Sequence, residues 1–234
     1  MRLTIIIPVF NEDRTIGTLI ERLQRISNKD FEWIFVDDGS TDGTTNLLRT
    51  NVQDPHKLIV QRKNQGKTAA ILAGLEQATG DWVIIQDADL EYDPSEIPGL
   101  LQVACKSPRW PLAIYGKRPS YWWNPRRWIF AGGVLGVDML LWVHYGGWVR
   151  DHATCYKLMP TKLLRSLDLR SSGFEGCIEI TAKLMRMKVP IKQVGITYHP
   201  RSVQEGKKLT IGYAKEAWRA VHQFRNWKPS QGAN

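Results

Sequence analysis

The sequence predicts an α/β fold in which a mostly parallel central sheet is flanked by helices. From Leu3 onward, apolar runs typical of buried strands alternate with amphipathic runs of helical period. Hydrophobic residues make up 43% and charged residues 24% of the 234 residues, which is the balance of a soluble globular protein and excludes disordered and collagen-like classes. The length fits one elaborated domain over 1–234 better than two domains.

The elements follow one another in a regular order. Short apolar runs predict buried strands at 3–9, 31–36, 57–61, 82–86, 112–115, 153–158 and 191–198. Helical periodicity predicts helices at 14–26, 44–49, 67–78, 94–106, 175–187 and 211–224. In such sheets ligands bind beyond the carboxyl ends of the strands, so the residues that follow each strand are the candidate site.

Charge and cysteine content narrow the partners and the compartment. Lys and Arg number 32 against 23 Asp and Glu, a formal net charge of +9, which attracts nucleic acid, nucleotides or anionic lipid surfaces. The three cysteines, Cys105, Cys155 and Cys177, are odd in number and lack CxxC spacing. Together with an N-terminal apolar run too short for a signal peptide, this predicts a cytoplasmic protein.

An acidic segment follows the predicted strand at 82–86. Between 81 and 96 there are six carboxylates and no basic residue, and Asp87-Ala88-Asp89 forms a DxD motif. Carboxylates this close repel one another unless they are solvated or bridged by a cation, and Mg²⁺ and Mn²⁺ prefer oxygen ligands. We therefore predict a divalent metal that holds a substrate phosphate; an ordinary acidic loop is the alternative.

Two common nucleotide-binding motifs are excluded. Gly66-Lys67-Thr68 looks like the end of a Walker loop, but Gln61 stands where the first glycine is required. No GxGxxG follows the first strand, which argues against a dinucleotide oxidoreductase. Asp37 and Asp38 end the second strand; one of them is a candidate to bind a base or ribose, and a capped turn is the simpler explanation of the residues that follow.

Several segments resemble, in order and spacing, the motifs of family 2 glycosyltransferases of the GT-A fold. They are 6–12, 36–43, 64–67, 78–81 and 87–89. Residues 87–90, 115–118 and 201–207 are similar to the polyprenyl-phosphate (dolichyl-phosphate) mannosyltransferase-like branch. The resemblance covers roughly 3–119 and 151–208 and implies a Rossmann-like fold that binds a nucleotide sugar.

The resemblance also implies roles for individual residues. The nucleotide is expected to contact Pro8, Phe10, Glu12, Val36, Asp38, Asp87 and Ala88. Mg²⁺ or Mn²⁺ is expected on Asp87, Asp89 and Glu91, the last a position where the family usually has a neutral polar residue. Donor or acceptor phosphates are expected on Arg118, Arg201 and Lys207.

The resemblance implies that Asp89, Arg118 and Asp151 are the catalytic residues. A sugar hydroxyl acceptor would need a base, and Asp151 is the candidate. A phosphate acceptor has a second pKa near ~6 and is already largely dianionic at neutral pH. We therefore predict that Asp151 orients groups rather than removing a proton.

Residues 121–149 form a Trp-rich insertion in the domain. The stretch from Trp122 to Trp148 contains five of the ten tryptophans, and between 129 and 149 the only formal charge is Asp138. Five glycines in 129–149 weaken any spanning helix. We predict a membrane-interfacial segment that delivers a lipid acceptor; a Trp-rich flap packed on the catalytic domain is the alternative.

The resemblance implies a metal-dependent, inverting transferase that moves a hexose from a nucleotide sugar to a polyprenyl phosphate at the membrane surface. Mannose from GDP-mannose is favoured, and UDP-glucose or another UDP-hexose is the alternative donor. A small membrane subunit is left open as a partner, and no nucleic acid is expected. A phosphatase and a non-enzymatic polyanion-binding protein are more distant alternatives, the latter because 201–228 carries a charge of +5.

Overall fold

The computed structural model describes residues 1–107, 111–119, 128–201 and 213–229, with the side chains of 128–131 and 213–216 excepted. The strands are β1 Leu3–Val9, β2 Phe31–Asp37, β3 Lys57–Val60, β4 Trp82–Ile85, β5 Ala113–Lys117, β6 Lys157–Pro160 and β7 Ile191–Gly195. The helices are α1 Ile16–Ile26, α2 Thr44–Asn51, α3 Lys67–Gln77, α4 Ile97–Cys105, α5 Trp128–Tyr145, α6 Thr161–Ser166, α7 Gly176–Arg186 and α8 Tyr213–Gln223. A 3₁₀ turn at Pro94–Glu96 leads into α4.

The described strands form a sheet of seven in the order β3-β2-β1-β4-β6-β5-β7. Neighbours in the first four positions are parallel, β6 is antiparallel to both β4 and β5, and β7 is parallel to β5. The predicted α/β class with a mostly parallel sheet is therefore confirmed. β1 and β2 are almost completely buried, as expected for parallel strands covered by helices on both faces.

The register of the parallel strands brings their carboxyl ends to one edge. Val9 at the end of β1 lies opposite Asp37 at the end of β2, and Ile85 at the end of β4 lies opposite Ile6. The segments that follow these three strands therefore leave the sheet side by side. This edge is where the predicted site residues of the first half of the chain meet.

The predicted strand at 153–158 is wrong in its position. The strand lies at Lys157–Pro160 and shares only 157 and 158 with the prediction, although the main-chain oxygen of Tyr156 still accepts the N–H of Gly116 in β5 at 2.9 Å. The main-chain N–H of Cys155 donates to the Tyr92 hydroxyl at 3.0 Å, and the Tyr156 hydroxyl donates to Gln86 at 2.6 Å. The prediction thus identified buried residues but placed the start of the strand too early. The short helix α6, which begins directly after Pro160, was not predicted.

The part of the Trp-rich insertion that the structure describes is mainly the helix α5, in spite of its glycines. Asp138 and Leu141 are buried, whereas Met139, Trp142 and Val143 are exposed, so one side of the helix packs on the domain. Within the described ranges, no helix is long and apolar enough to cross a membrane. Trp122 and Trp123 lie outside the described residues.

Candidate active site

The DxD motif begins two residues after the end of β4, and its first aspartate forms a partly buried ion pair. Lys67, the first residue of α3, places its Nζ 2.5 Å from Asp87 Oδ1. Burial alone would raise the pKa of Asp87, but the ammonium of Lys67 outweighs it and the pKa lies below its usual value. Asp87 is therefore held as a carboxylate by a cation from the neighbouring loop.

Asp89, two residues later, has the opposite character. Burial raises the pKa of its carboxyl to about 7, and the negative charges of Asp87 and Glu91 act in the same direction, while Arg201 opposes them. The main-chain N–H of Glu91 donates to Asp89 Oδ1 at 3.1 Å. A buried carboxyl beside two others is one that an added cation would stabilise in its ionised form.

Glu91 holds the segment after β7 against the DxD loop. One of its oxygens accepts a hydrogen bond from the Tyr198 hydroxyl at 2.6 Å, and the other accepts one from the main-chain N–H of Arg201 at 2.7 Å. Both oxygens are therefore in use by the protein itself. The expectation that Glu91 binds the metal stays a prediction, and the structure gives this residue a second task of joining two loops.

Arg201 connects the DxD loop to the loop after β1. Its Nη2 lies 2.7 Å from Glu12 Oε2, and its Nε donates to the main-chain oxygen of Asp89 at 2.8 Å. The structure thus brings together a residue predicted to bind phosphate and a residue predicted to bind the nucleotide. Lys207, the third predicted phosphate contact, lies outside the described residues.

Arg118 and Asp151 form a bidentate ion pair at the end of β5. Asp151 Oδ2 accepts bonds from the main-chain N–H and the Nε of Arg118 at 3.0 and 2.8 Å, and Oδ1 lies 2.5 Å from Nη2. The guanidinium also lies over the ring of Tyr198, 5.0 Å from its centroid. Because three donors point at the Asp151 carboxylate, it is arranged to orient Arg118. The prediction that it orients rather than deprotonates fits this geometry.

The predicted nucleotide contacts lie at the same edge of the sheet but differ in accessibility. Pro8 and Phe10 are half-buried and Glu12 is 8% exposed, whereas Val36 is completely buried in the core. The side chain of Val36 therefore packs inside the domain, and a base could reach only its main chain. Ala88, between the two aspartates of the motif, is 4% exposed.

Asp38 organises the loop that carries Lys67. Its carboxylate accepts the main-chain N–H groups of Gln65 and Gly66 at 2.7 and 2.8 Å. Burial raises the pKa of Asp38 above its usual value even though these two N–H groups lower it. Gly66 has a φ of +101°, and a Cβ there would lie 2.5 Å from the main-chain oxygen of Ser172. Only glycine fits this turn, which explains its place in the motif.

The adjacent Asp37 is a turn residue. It is completely buried, accepts the main-chain N–H of Ser40 at 2.9 Å and accepts the hydroxyl of Thr45. The capped-turn explanation therefore accounts for Asp37. The described hydrogen bonds of both aspartates at the end of β2 are therefore made to groups of the protein itself.

The donor set fits a hard divalent cation. Asp87 and Asp89 are two carboxylates whose negative charges act on each other, and the partly buried carboxyl of Asp89 gains from a positive neighbour. In the described ranges no cluster of three or more His, Cys, Asp or Glu side chains forms a complete metal site. Mg²⁺ sites commonly use one or two carboxylates and take the remaining ligands from phosphate and water. Two aspartates are therefore a sufficient protein contribution.

Lys67 and Tyr198 belong to the site but were not singled out as site residues from the sequence. In the sequence, Lys67 lies in a Walker-like triplet and ends the family-like motif at 64–67, and its position after a strand within that motif is a usable signal. Tyr198 contacts both Glu91 and Arg118. Its sequence signal is that it ends the predicted strand at 191–198.

Comparison with known proteins places the chain in a family. The model of glycosyl transferase family 2 matches residues 4–163, which is more than half of the chain. The chain belongs to glycosyl transferase family 2. The family expected from the motifs is thereby confirmed.

Solved structures of the same fold support the GT-A architecture. Glucosyl-3-phosphoglycerate synthase from Mycobacterium tuberculosis, in complex with Mg²⁺ and UDP, matches with a TM-score of 0.75 at 17% identity, over 99% of this chain and 81% of that chain. Its complex with Mn²⁺, UDP and phosphoglyceric acid matches with a TM-score of 0.73 at 17% identity, over 99% and 80% of the two chains. At this identity the likeness shows the fold alone.

Curated relatives share a higher identity over a shorter segment. An undecaprenyl-phosphate 4-deoxy-4-formamido-L-arabinose transferase from Pectobacterium carotovorum is 43% identical over 109 residues, which cover 44% of this chain and 33% of the relative. The enzyme of the same name from Yersinia pestis is 40% identical over 109 residues, which also cover 44% of this chain and 33% of the relative. The matched segment therefore spans about a third of the length of these relatives.

Proposed function

We propose that this family 2 glycosyltransferase transfers a sugar from a nucleoside diphosphate sugar to a polyprenyl phosphate, with inversion and with the help of Mg²⁺ or Mn²⁺. The observation that carries the proposal is the set of opposite charges at the carboxyl edge of the sheet. Two DxD carboxylates lie beside Lys67 and Arg201, and Arg118 lies beyond Tyr198. A transfer between two phosphate-bearing substrates needs such a set of cations.

The residues of the chain have separate tasks in this reaction. Asp87 and Asp89 hold the metal, which when bound supplies a Lewis acid for the donor diphosphate. Lys67 and Arg201 offset the negative charge of the leaving diphosphate, as positioned cations do for developing charge in other active sites. Arg118 orients the acceptor phosphate for attack on the anomeric carbon, and Asp151 keeps Arg118 in place.

The names of the curated relatives support the acceptor class. These relatives are transferases that act with undecaprenyl phosphate, and they share 40–43% identity with this chain over the matched segment. For the donor, motif resemblance favours GDP-mannose, whereas the relatives carry a modified pentose in their name and the structural neighbours were solved with UDP. We propose GDP-mannose as the first donor to test and UDP-glucose as the second.

Thermal stabilisation tests the donor and the metal together. GDP, UDP, GDP-mannose and UDP-glucose are each added with and without Mn²⁺, because a ligand that binds only the native state raises its stability. We expect a metal-dependent rise in Tm with one nucleotide class. Asp89→Asn should abolish that rise, and Asp93→Asn, which changes a carboxylate that caps the 3₁₀ turn, should keep it. No shift in the wild type with any nucleotide would contradict the proposal.

Transfer itself is measured with a labelled sugar and a polyprenyl phosphate in detergent. The product should carry the anomeric configuration opposite to that of the donor, which NMR of the isolated product determines. Retention of configuration, or free sugar as the only product, would contradict an inverting transferase. A salt-dependent DNA shift without nucleotide-sugar binding would instead favour a polyanion-binding protein.

We also propose that α5 and α8 contact the membrane surface. The exposed apolar side chains of these helices and of the segment directly after α5 are 47–68% exposed: Met139, Trp142, Val143, Trp148 and Trp218. The ring centroids of Trp142 and Trp148 are 5.9 Å apart, and the ring of Trp218 lies 4.2 Å from that of His222, which contacts His144 of α5. Tryptophan favours the headgroup region, and the exposed Arg219, Arg225 and Lys228 favour anionic lipid.

Vesicle flotation tests this surface. We expect the wild type to float with vesicles that contain anionic lipid, and Trp142→Ala/Trp218→Ala to lose most of this binding. The matched control is Leu47→Ala/Val60→Ala, since Leu47 and Val60 are 37% and 41% exposed apolar residues on α2 and β3. Equal flotation of the tryptophan variant and the control would contradict a membrane role for this surface.

A further inference from the structure

A buried carboxylate on α5 contacts the loop that carries Asp151. Asp138 is 3% exposed, and its Oδ2 accepts the main-chain N–H of Asp151 at 2.8 Å. Its Oδ1 accepts the main-chain N–H of His152 at 3.0 Å and lies 2.7 Å from Nδ1 of the same residue. Asp138 thus holds two successive main-chain groups and one imidazole.

Asp151 has a backbone conformation that needs such support. Its φ is +71°, in the left-handed region that is unfavourable for residues with a Cβ. The main chain of Asp151 is held by Asp138, and its side chain holds Arg118. One residue therefore connects the buried side of α5 to the guanidinium at the end of β5.

The same loop is held from a second direction. Lys157, which is almost completely buried, donates from Nζ to the main-chain oxygens of His152, at 2.8 Å, and of Thr154. Among the described residues, Nε2 of His152 has no hydrogen-bond partner, so the Nδ1 side of the ring is where its polar contact is made. The loop is thus fixed through its main chain, with Asp138 as the contact from α5.

We propose that Asp138 is a positioning residue that sets the orientation of Arg118 through the main chain of Asp151. The inference rests on the proposed function only in that Arg118 binds the acceptor phosphate. Because hydrogen bonds to an ionised carboxylate are stronger than neutral ones, the contact transmits a displacement of α5 to Arg118. Since α5 also carries exposed Met139, Trp142 and Val143, the surface proposed to meet lipid and the phosphate site share one rigid connection.

The first experiment compares Asp138→Asn with Asp168→Asn. The asparagine at 138 keeps the shape but turns one acceptor into an NH₂ group that faces N–H donors. We expect kcat/KM for polyprenyl phosphate to fall by about 10- to 100-fold, while nucleotide affinity changes less than about twofold. Asp168, which is 60% exposed and pairs with Arg170, is a matched control that should change neither quantity.

A double-mutant cycle separates positioning from a general structural role. In an Arg118→Ala background, Asp138→Asn should lower kcat/KM by less than about a further threefold, because the guanidinium through which Asp138 acts is already missing. If the two losses multiply, Asp138 does not act through Arg118 and the inference is overturned. Should Asp138→Asn fail to fold, His152→Ala, which keeps both main-chain N–H groups, takes its place in the same cycle with a smaller expected loss.

Binding of inorganic phosphate distinguishes failure of this inference from failure of the proposed function. If the wild type transfers no sugar to polyprenyl phosphate, the proposed function fails, but phosphate binding to Arg118 can still be measured by calorimetry. Asp138→Asn should weaken that binding by about tenfold and Asp168→Asn should not. Phosphate affinity that is equal in the wild type and Asp138→Asn would overturn the positioning role whatever the reaction is.

Discussion

Replacing Glu179 by Leu is predicted to lower the free energy of unfolding by about 3–5 kcal/mol, because it leaves a buried lysine without its counter-ion. Glu179 and Lys183 lie one turn apart on α7, both completely buried, with Nζ 2.5 Å from Oε1. Lys183 also donates to the main-chain oxygens of Leu167 and Asp168 at 2.8 and 2.6 Å. Removing the carboxylate therefore leaves the positive charge of Lys183 inside the domain, away from water and without a counter-ion.

The carboxylate has a second task that adds to the cost. It accepts the main-chain N–H of Arg170 at 2.9 Å and that of Ser171 at 2.8 Å, and each would lose its partner in the Leu variant. Glu179→Gln removes the charge and turns one acceptor oxygen into an NH₂ group, but it keeps the other oxygen for these N–H groups, so we expect a smaller loss of about 1–3 kcal/mol. The larger loss of stability in the Leu variant than in the Gln variant is therefore also a prediction from the geometry.

These losses are large against a typical domain stability of about 5–15 kcal/mol. For a chain of this size about 2–4 °C of Tm corresponds to each kcal/mol, so Glu179→Leu should lower Tm by about 6–20 °C. Urea unfolding at pH 7 followed by tryptophan fluorescence gives the free energy directly. The control is Asp168→Asn, a surface ion pair with 60% and 69% exposed partners, which should change stability by less than about 0.5 kcal/mol.

A loss below about 1 kcal/mol for Glu179→Leu would refute the reasoning that this pair is an essential buried contact. The pair also supports the active site. The main-chain oxygen of Ser172, in the loop next to the N–H groups held by Glu179, accepts the N–H groups of Thr68 and Ala69 at the start of α3. We therefore expect Glu179→Gln to weaken nucleotide binding as well, because Lys67 begins that helix.

Two further predictions concern charged groups. Burial alone would raise the pKa of Glu32, but hydrogen bonds, the strongest from Lys57, lower the pKa below 4.5 in the folded protein. The ionised Glu32 therefore contributes its full stabilisation above pH 4.5, and this stabilisation is lost as the pH falls through the pKa of the folded state. Glu32→Gln should thus cost about 1–2 kcal/mol at pH 7 and progressively less in urea titrations below pH 4.5; an undiminished difference at acidic pH would contradict this. Lys67→Met should lower kcat by about 10²–10³-fold, and the exposed control Lys63→Met by less than about twofold; equal effects in a transfer assay would remove Lys67 from the mechanism.

Much of the fold could be predicted because its signals are local. The strands β1 to β4 and the helices between them were predicted within about two residues, since burial on both faces and helical period are written into adjacent residues. The signal placed β6 too early, because Cys155 and Tyr156 are already buried before the strand begins and bond to Tyr92 and Gln86. It also failed at α6, which is too short to show a helical period.

The candidate site was predicted as a set of residues but not as a set of pairs. The motifs named Glu12, Asp87, Arg118, Asp151 and Arg201 without saying which carboxylate meets which cation. Contacts across 33 and 189 residues of sequence cannot be seen in a local pattern. The structure assigned one role that spacing did not suggest, since Glu91 holds the segment after β7 through two hydrogen bonds.

The sequence by itself determined the α/β class, the edge of the sheet where the site lies and the acidic and basic residues that compose it. These follow from hydrophobic periodicity and from motifs placed directly after strands, which depend on neighbouring residues alone. Only the tertiary structure decided that Lys67 pairs with Asp87, that burial raises the pKa of Asp89 to about 7, and that Asp138 holds the loop of Asp151. Burial and pairing depend on segments distant in the chain, and they exist only once the sheet brings those segments together.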